Sequence, residues 1–396
     1  MSFNIALTGL SAVTEQLNTI SNNIANVGTT GFKSSRTEFG SVYADSQAMG
    51  VEVLGLTQSI TQGGSLVSTG RSLDLAISGG GFFVTRNATG DLSYTRAGVF
   101  GADKDNIIVN AAGQRLQGYP VDAAGNLQVG NVGDLQLQSA NLPAKASDTL
   151  SFVMNLDSNE AVPAVAVFDP ADANSFNSTY TTKVFDSQGR EHTLTQYFVK
   201  TADNNWDAHY YSDGVAVGAA QGLTFGTNGA LAMPIGPVTL NYGLGAGVDP
   251  MSIALDYSGS SQYGSDFVVT TNRASGYSAG EQTGLAVEKD GMVYANYSNG
   301  QRMLQGQVAL ASFVNAGGLK NENGTAWSET SESGAALIGA PGVGALGVLS
   351  AGALENSNVD LTQQLVGLME GQRNYQANTK VLSTNKELTQ VLFSAI

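Results

Sequence analysis

The sequence predicts a mainly β chain with an α-helix at each end, and three observations carry that prediction. The middle consists of Val, Thr, Tyr and Phe runs bounded by Gly, Asn and Asp, with 49 glycines and only 8 prolines in 396 residues, a composition of short strands and tight turns. Residues 1 to 27 repeat apolar side chains at heptad spacing. Residues 357 to 396 carry a second apolar stripe behind a helix-start signal.

A chain this long is expected to form two or three domains rather than one core. It has no cysteine, which excludes a disulfide framework, a thiolate zinc site and a cysteine nucleophile. Its formal charge of -15 argues against nucleic acid as a partner, because phosphate binding rests on clustered Lys and Arg. The opening MSFNIALTGL lacks the basic start and continuous apolar run of a cleaved leader, and no apolar run is long enough to span a membrane. A cytoplasmic chain, or one exported without cleavage, is expected.

In the first segment, Phe3, Ala6, Leu10, Val13, Leu17, Ile20, Ile24 and Val27 alternate at intervals of 3 and 4. The spacing predicts a helix to about Val27, with Gly28 and Gly31 ending it. Up to Phe32 the only charged side chain is Glu15, and the outward positions hold Asn4, Thr8, Ser11, Asn18, Asn22 and Asn26. Amides and hydroxyls suit contact with protein, where buried charge would be costly. Burying the seam contributes roughly 10 to 15 kcal/mol gross, while ordering the backbone costs about 1 to 2 kcal/mol per residue before hydrogen bonds offset it. A lone helix is therefore marginal, and both ends are expected to become helical on pairing and packing in an assembly.

At the other end, Ser357 is the expected cap, with Asp360 three residues later in capping-box position and favourable to the helix dipole. Leu361, Leu365, Leu368, Tyr375, Leu382, Leu388, Leu392 and Ile396 supply an apolar stripe, interrupted by Gln372 and Thr379. This helix is expected to run to the end. A surface helix docked on a globular core is the plainer explanation of either stripe. Their coiled-coil spacing, their placement at opposite ends of the chain and the near absence of charge on the N-terminal one favour an assembly seam.

No catalytic constellation emerges. His192 and His209 lie in strand-like stretches without metal-pair spacing. SGGGFFV has glycines but no following Lys-Ser/Thr and no helix pattern, so it predicts a tight turn entering a buried strand. FDSQGRE, DAAGN and KDGM are hairpin-loop sequences, too poor in acidic ligands for calcium. The two helical segments hold four acids (Glu15, Asp360, Glu370, Glu387) and three bases (Arg373, Lys380, Lys386). All but one of the excess negative charges thus lie between them, where they favour solubility and repel between neighbouring copies at low salt.

ANVGTTGFK (25 to 33), with Asn26, Gly28, Thr30, Gly31, Phe32 and Lys33, resembles the N-terminal motif of the flagellar rod and hook axial family. LENSNVDLTQQLVGLMEGQRNYQANTKVLSTNKELTQVL, with Ser357, Asn358, Asp360, Gln372 and Arg373, resembles its C-terminal motif. SLDLAISGGGFFVTR, YTRAGVF, LQGYPVDAAGNL and VFDSQGREHTLTQYFVK are similar to the body of the hook members, so the resemblance spans essentially the whole chain. Rod members are shorter and lack an insertion of the kind this length allows.

The resemblance implies an uncleaved subunit, exported through the flagellar type III apparatus, that polymerises into a short curved tube joining motor to filament. Its partners would be further copies in a helical homopolymer, distal rod proteins, the hook cap protein, hook-filament junction proteins and the hook-length control protein, with no cofactor, nucleic acid or small-molecule substrate. Two β-rich domains, one inserted in the other, are implied, with the terminal helices paired as a coiled coil. Residues 1–27 and 357–396 would form the helical inner domain and 28–71 an extended connector. Residues 72–144 with 285–356 would form a β domain, and 145–284 an inserted outer β domain bounded near Pro143 and NRASGYSAGEQTG. Bending would occur by shear between rigid domains, with Gly28, Gly31 and Gly40 as pivots. The rival expectation is an exported β-rich glycan-binding or polysaccharide-acting protein, using Trp206, Trp327 and the HYYS tyrosines as platforms.

Overall fold

Helix α1 (Ser2–Ala25) is followed by a long antiparallel hairpin, β1 (Ser35–Ala44) with β2 (Gln47–Gln58), paired from Ser35↔Gln58 to Ala44↔Gln47 with two bulges between. The structure, a computed structural model, describes residues 2–44, 47–122, 125–138, 141–245 and 247–394. Ile396 and the side chain of Leu392 lie outside the described part.

Within segment 28–71, expected as an extended connector, much of the chain is thus folded into this hairpin. Its strands satisfy one another's backbone groups, which an extended single strand leaves unmet. The hairpin lies along α1: Thr19 Oγ1 and Thr37 Oγ1 are 2.9 Å apart, and Asn23 both donates to the Ser35 carbonyl at 2.8 Å and accepts from the Ser35 N–H at 2.9 Å. Part of the uncharged helix face is therefore buried within the same chain, at Ala12, Thr19 and Asn23.

The chain divides into two compact units, 1–139 with 284–296 and 302–396, and 140–283 with 297–301. In the first, β3 (Leu66–Ser68) pairs with Ala353–Glu355, and β4 (Leu75–Ser78) with Val348–Ala351. The main sheet runs through strands 302–308, 115–120, β5 (Phe82–Arg86), β6 (Leu92–Thr95), 326–328 and 320–322. Strand β5 is buried on both faces. Phe83 enters one core with Leu75, Phe100 and Leu116, while Phe82 and Val84 enter another with Ile60, Tyr94 and Trp327. A continuous apolar run such as FFV is what two buried faces require, and the glycines before it form the turn.

The second unit is a sandwich of two sheets, one built around Thr149–Asp157 and the other around Glu191–Ala202 and Asn205–Ser212. Alternate residues point inward, so Phe152 and Leu156 meet Phe198 and Trp206 in one core. Tyr257 Oη donates to Gln196 Oε1 at 2.6 Å inside it. The segments that enter and leave this unit run side by side, with bridges Leu142↔Gly280 and Lys145↔Tyr277.

Candidate functional site

Both ends of the chain converge. Helix α2 (Leu361–Ser394) lies antiparallel to α1, with Ile20 over Gly367, Leu17 over Gly371 and Asn378 over Gly9. A Cβ on Gly371 would stand 2.7 Å from Leu17 Cδ2, and one on Gly367 3.3 Å from Ile20 Cδ1. The absence of side chains at these two positions sets how closely the helices approach. Following the register leaves the C-terminal part of α2 with no α1 residue alongside.

The predicted seam is only partly the observed one. On α1, Val13 and Ile20 are buried, Leu10, Leu17 and Ile24 half-buried, and Val27 exposed. On α2, Leu368 and Leu382 are half-buried, but Leu361, Leu365, Tyr375 and Leu388 are exposed. The residues that meet α1 are instead Gln364, Gly367, Gly371 and Asn378. Their spacing is heptad-like and they are small or polar, so counting apolar side chains selects the neighbouring, outward stripe. Gln372 and Arg373 are exposed as well.

The helix boundaries also differ in detail. Asp360, not Ser357, caps α2: its Oδ1 accepts from the N–H groups of Thr362 at 2.9 Å and Gln363 at 3.1 Å. Ser357 Oγ accepts only from the Val359 N–H, at 3.3 Å. Helix α1 stops at Ala25, and Asn26 closes it through Nδ2 donating to the Asn22 carbonyl at 2.9 Å. Thr30 and Phe32 are half-buried beyond it.

The root of the two helices is an ionic node. Lys33 and Glu355 have side-chain exposures of 0% and 1%, and Arg96 3%. Lys33 Nζ donates to Glu355 Oε1 at 2.6 Å and to the Gln62 carbonyl at 2.7 Å. Arg96 Nη1 donates to Glu355 Oε2 at 3.3 Å, and its Nη2 to the Gly79 carbonyl at 2.9 Å. Burial lowers the Lys33 pKa against the pull of Glu355, and Arg96 beside it pushes the same way. Burial likewise lowers that of Arg96, with Glu355 opposing.

Asn358 seals the node from one side, accepting the Ser34 N–H on Oδ1 at 2.7 Å and donating from Nδ2 to the carbonyls of Ser59 and Gln62, each at 3.0 Å. Asn23 Nδ2 reaches Gln364 Oε1 at 3.1 Å and so ties α1 to α2.

Gly31 is clamped rather than free to pivot. It has φ +71, its N–H donates to the Glu355 carbonyl at 2.8 Å, and a Cβ there would lie 2.5 Å from the Ala97 nitrogen. Gly40 sits within β1 under Leu54, whereas Gly28 has open space around it.

The other sequence candidates have structural occupations. Trp206 and Trp327 are core residues whose indole N–H groups donate to Gln262 Oε1 at 3.1 Å and Gln58 Oε1 at 2.9 Å, so neither offers a platform to a glycan. Tyr210 of HYYS is buried, and His209 stacks on Phe168 with centroids 4.1 Å apart. His192 bridges two turns, with Nδ1 2.6 Å from Asp213 Oδ2 and Nε2 3.3 Å from Asp186 Oδ2. Among the described residues, no group of three or more His, Asp or Glu is disposed to hold a metal ion.

Comparison with known proteins decides the family. Over 99% of both chains, the sequence is 39% identical to the flagellar hook protein FlgE of Escherichia coli (strain K12). The chain belongs to the flagellar hook protein family. Borreliella burgdorferi hook protein FlgE is 31% identical over 98% of this chain and 97% of its own.

Four stretches match family descriptions: flagella basal body rod protein (3–33), flagellar hook protein FlgE/F/G D1 domain (76–152), flagellar basal body protein FlaE D2 domain (155–277) and flagellar basal body rod FlgEFG protein C-terminal (350–394). The fold is similar to the crystal structure of Helicobacter pylori flagellar hook protein FlgE2, with TM-score 0.56 and 14% identity over 73% of this chain and 99% of that one.

For a hook-family chain, the residues missed by sequence reasoning are Glu355, Arg96, Asn23, Gly367 and Gly371. One signal was available for the first of these. Lys33 is the first basic residue after a nearly uncharged start, and a charge entering so neutral a segment calls for a partner.

Proposed function

We propose that this chain is a structural subunit of the bacterial flagellar hook, polymerising through its terminal helices into a curved tube that transmits torque. The single observation that carries the reading is the pairing of the two chain ends, with α2 turning an apolar stripe (Leu361, Leu365, Met369, Tyr375, Leu388) outward. An unpartnered apolar stripe on a helix calls for cover, and further copies of a helical homopolymer supply it. The family's membership places the chain in the flagellum.

The finer expectations rest on family resemblance: uncleaved export through the flagellar type III apparatus, and contact with distal rod, hook cap, hook-filament junction and hook-length control proteins. In the tube, the helices form the inner wall and the β units lie outward. Adding ammonium sulfate, which strengthens apolar burial, to purified full-length chain tests the reading. Sedimenting tubes visible by electron microscopy support it. A chain that stays monomeric, or forms only amorphous precipitate, contradicts it.

A further inference from the structure

We propose that the buried Lys33, Arg96 and Glu355 node fixes the direction in which the helix pair leaves its β unit, so that these three are positioning residues for assembly. The inference rests on the hook reading only for its consequence in the tube.

The node ties three separate stretches of chain to one carboxylate. Glu355 Oε1 receives Lys33 Nζ from the loop between α1 and β1 and the Gly64 N–H, at 2.9 Å, from the loop after β2, while Oε2 receives Arg96 from the bend after β6. The Glu355 carbonyl receives the Gly31 N–H, and the Asn356 N–H donates to the Ser65 carbonyl at 2.9 Å. Five residues later α2 begins. Both helices thus depart from a point where hydrogen bonds with defined directions, rather than side-chain volume, set the backbone.

The charges are not matched to one another. Two cations share one carboxylate, leaving a surplus positive charge fully enclosed, and Arg96 Nε has no hydrogen-bond partner. Apolar residues of similar volume stabilise such a position as well or better, because desolvation offsets most of the Coulomb attraction. What an apolar cluster lacks is direction. It packs almost equally well over a range of exit angles, whereas the fork of Arg96 against Phe82, with its guanidinium carbon 5.4 Å from the ring centroid, and the two donors on Oε1 admit one arrangement.

The full-length chain has no cysteine, so two introduced ones can be labelled specifically. Spin labels at Asp105→Cys and Gln376→Cys, both exposed, report the distance between the β unit and α2. A single narrow distribution is expected in this background. The variant Lys33→Met/Arg96→Met/Glu355→Leu is expected to melt within a few degrees of it, to give a distribution at least twofold broader, and to form irregular tubes.

Should the triple variant not fold, Glu355→Gln, which keeps the shape and the acceptor for Lys33 and Gly64 but weakens the grip on Arg96, is expected to broaden the distribution as well. Equal widths in node variants and unmodified background, or a broad distribution already in that background, overturn the proposal. A narrow distribution in a chain that forms no tubes counts against the hook reading and leaves the node's positioning role supported.

Discussion

Leu17 of α1 rests directly on Gly371 of α2, at a spacing a single methyl group would violate. Gly371→Val therefore overpacks the helix pair, with an expected cost of about 1 to 3 kcal/mol. Thermal melting followed by far-UV circular dichroism should show early loss of helical signal. Adding Leu17→Ala should recover part of it, which a purely propensity-driven effect of the substitution would not allow.

Gly31 and Gly28 stand three residues apart and should respond in opposite ways. Ala at 31 must adopt a left-handed conformation costing roughly 1 to 2 kcal/mol, and it also meets the Arg96 and Ala97 backbone. Gly31→Ala is expected to lower the melting temperature and impair tube formation, whereas Gly28→Ala, with nothing nearby, should leave both intact.

The two candidate caps of α2 are distinguishable by the same measurement. Asp360→Ala removes the acceptor for the Thr362 and Gln363 N–H groups and should cost about 1 kcal/mol of helix stability. Ser357→Ala should produce a much smaller loss of ellipticity.

The second unit carries a pH dependence. Partial burial disfavours the charged His192 imidazole, but hydrogen bonds with Asp213 and Asp186 outweigh it and raise its pKa. Burial likewise opposes the charge on Asp186, and the Arg190 N–H, the Arg190 side chain and His192 overcome it, holding its pKa low. Stability from His192 is complete below its unfolded pKa of about 6.5 and is lost as pH rises through its higher folded value. Stability from Asp186 is present above about 4 and is lost as pH falls through its lower folded value. The melting temperature of this unit should therefore peak between roughly pH 4 and 6.5. In His192→Gln the decline on the alkaline side should flatten, and an unchanged slope would assign it to other groups.

How much was legible follows from which signals are local. The β middle and the helical ends are visible in Gly-bounded strand runs and in the alternation from Phe3 to Val27, because both periodicities come from the chain's own geometry. The buried strand at SGGGFFV was legible for the same reason. Pairings between distant stretches were not: nothing in the spacing of Gly367 and Gly371 announces a contact surface, since small residues carry no hydrophobic weight. The hairpin was hidden because 35–58 lacks clean alternation, its strands having bulges at Glu38/Phe39 and Val42/Tyr43. Lys33 and Asn358 stand within terminal motifs of the sequence, but Glu355 and Arg96, hundreds of positions apart, become one site only in the fold.

The central claim is that the outward apolar stripe of α2 is an assembly surface and not part of the subunit's own core. Sedimentation of full-length Leu365→Asp and Leu388→Asp after ammonium sulfate tests it most directly, because these side chains are 44% and 63% exposed in the single chain. The account predicts monomers with unchanged circular dichroism and melting temperature that no longer form tubes. Normal tubes from both variants, or a large fall in monomer stability, would contradict it.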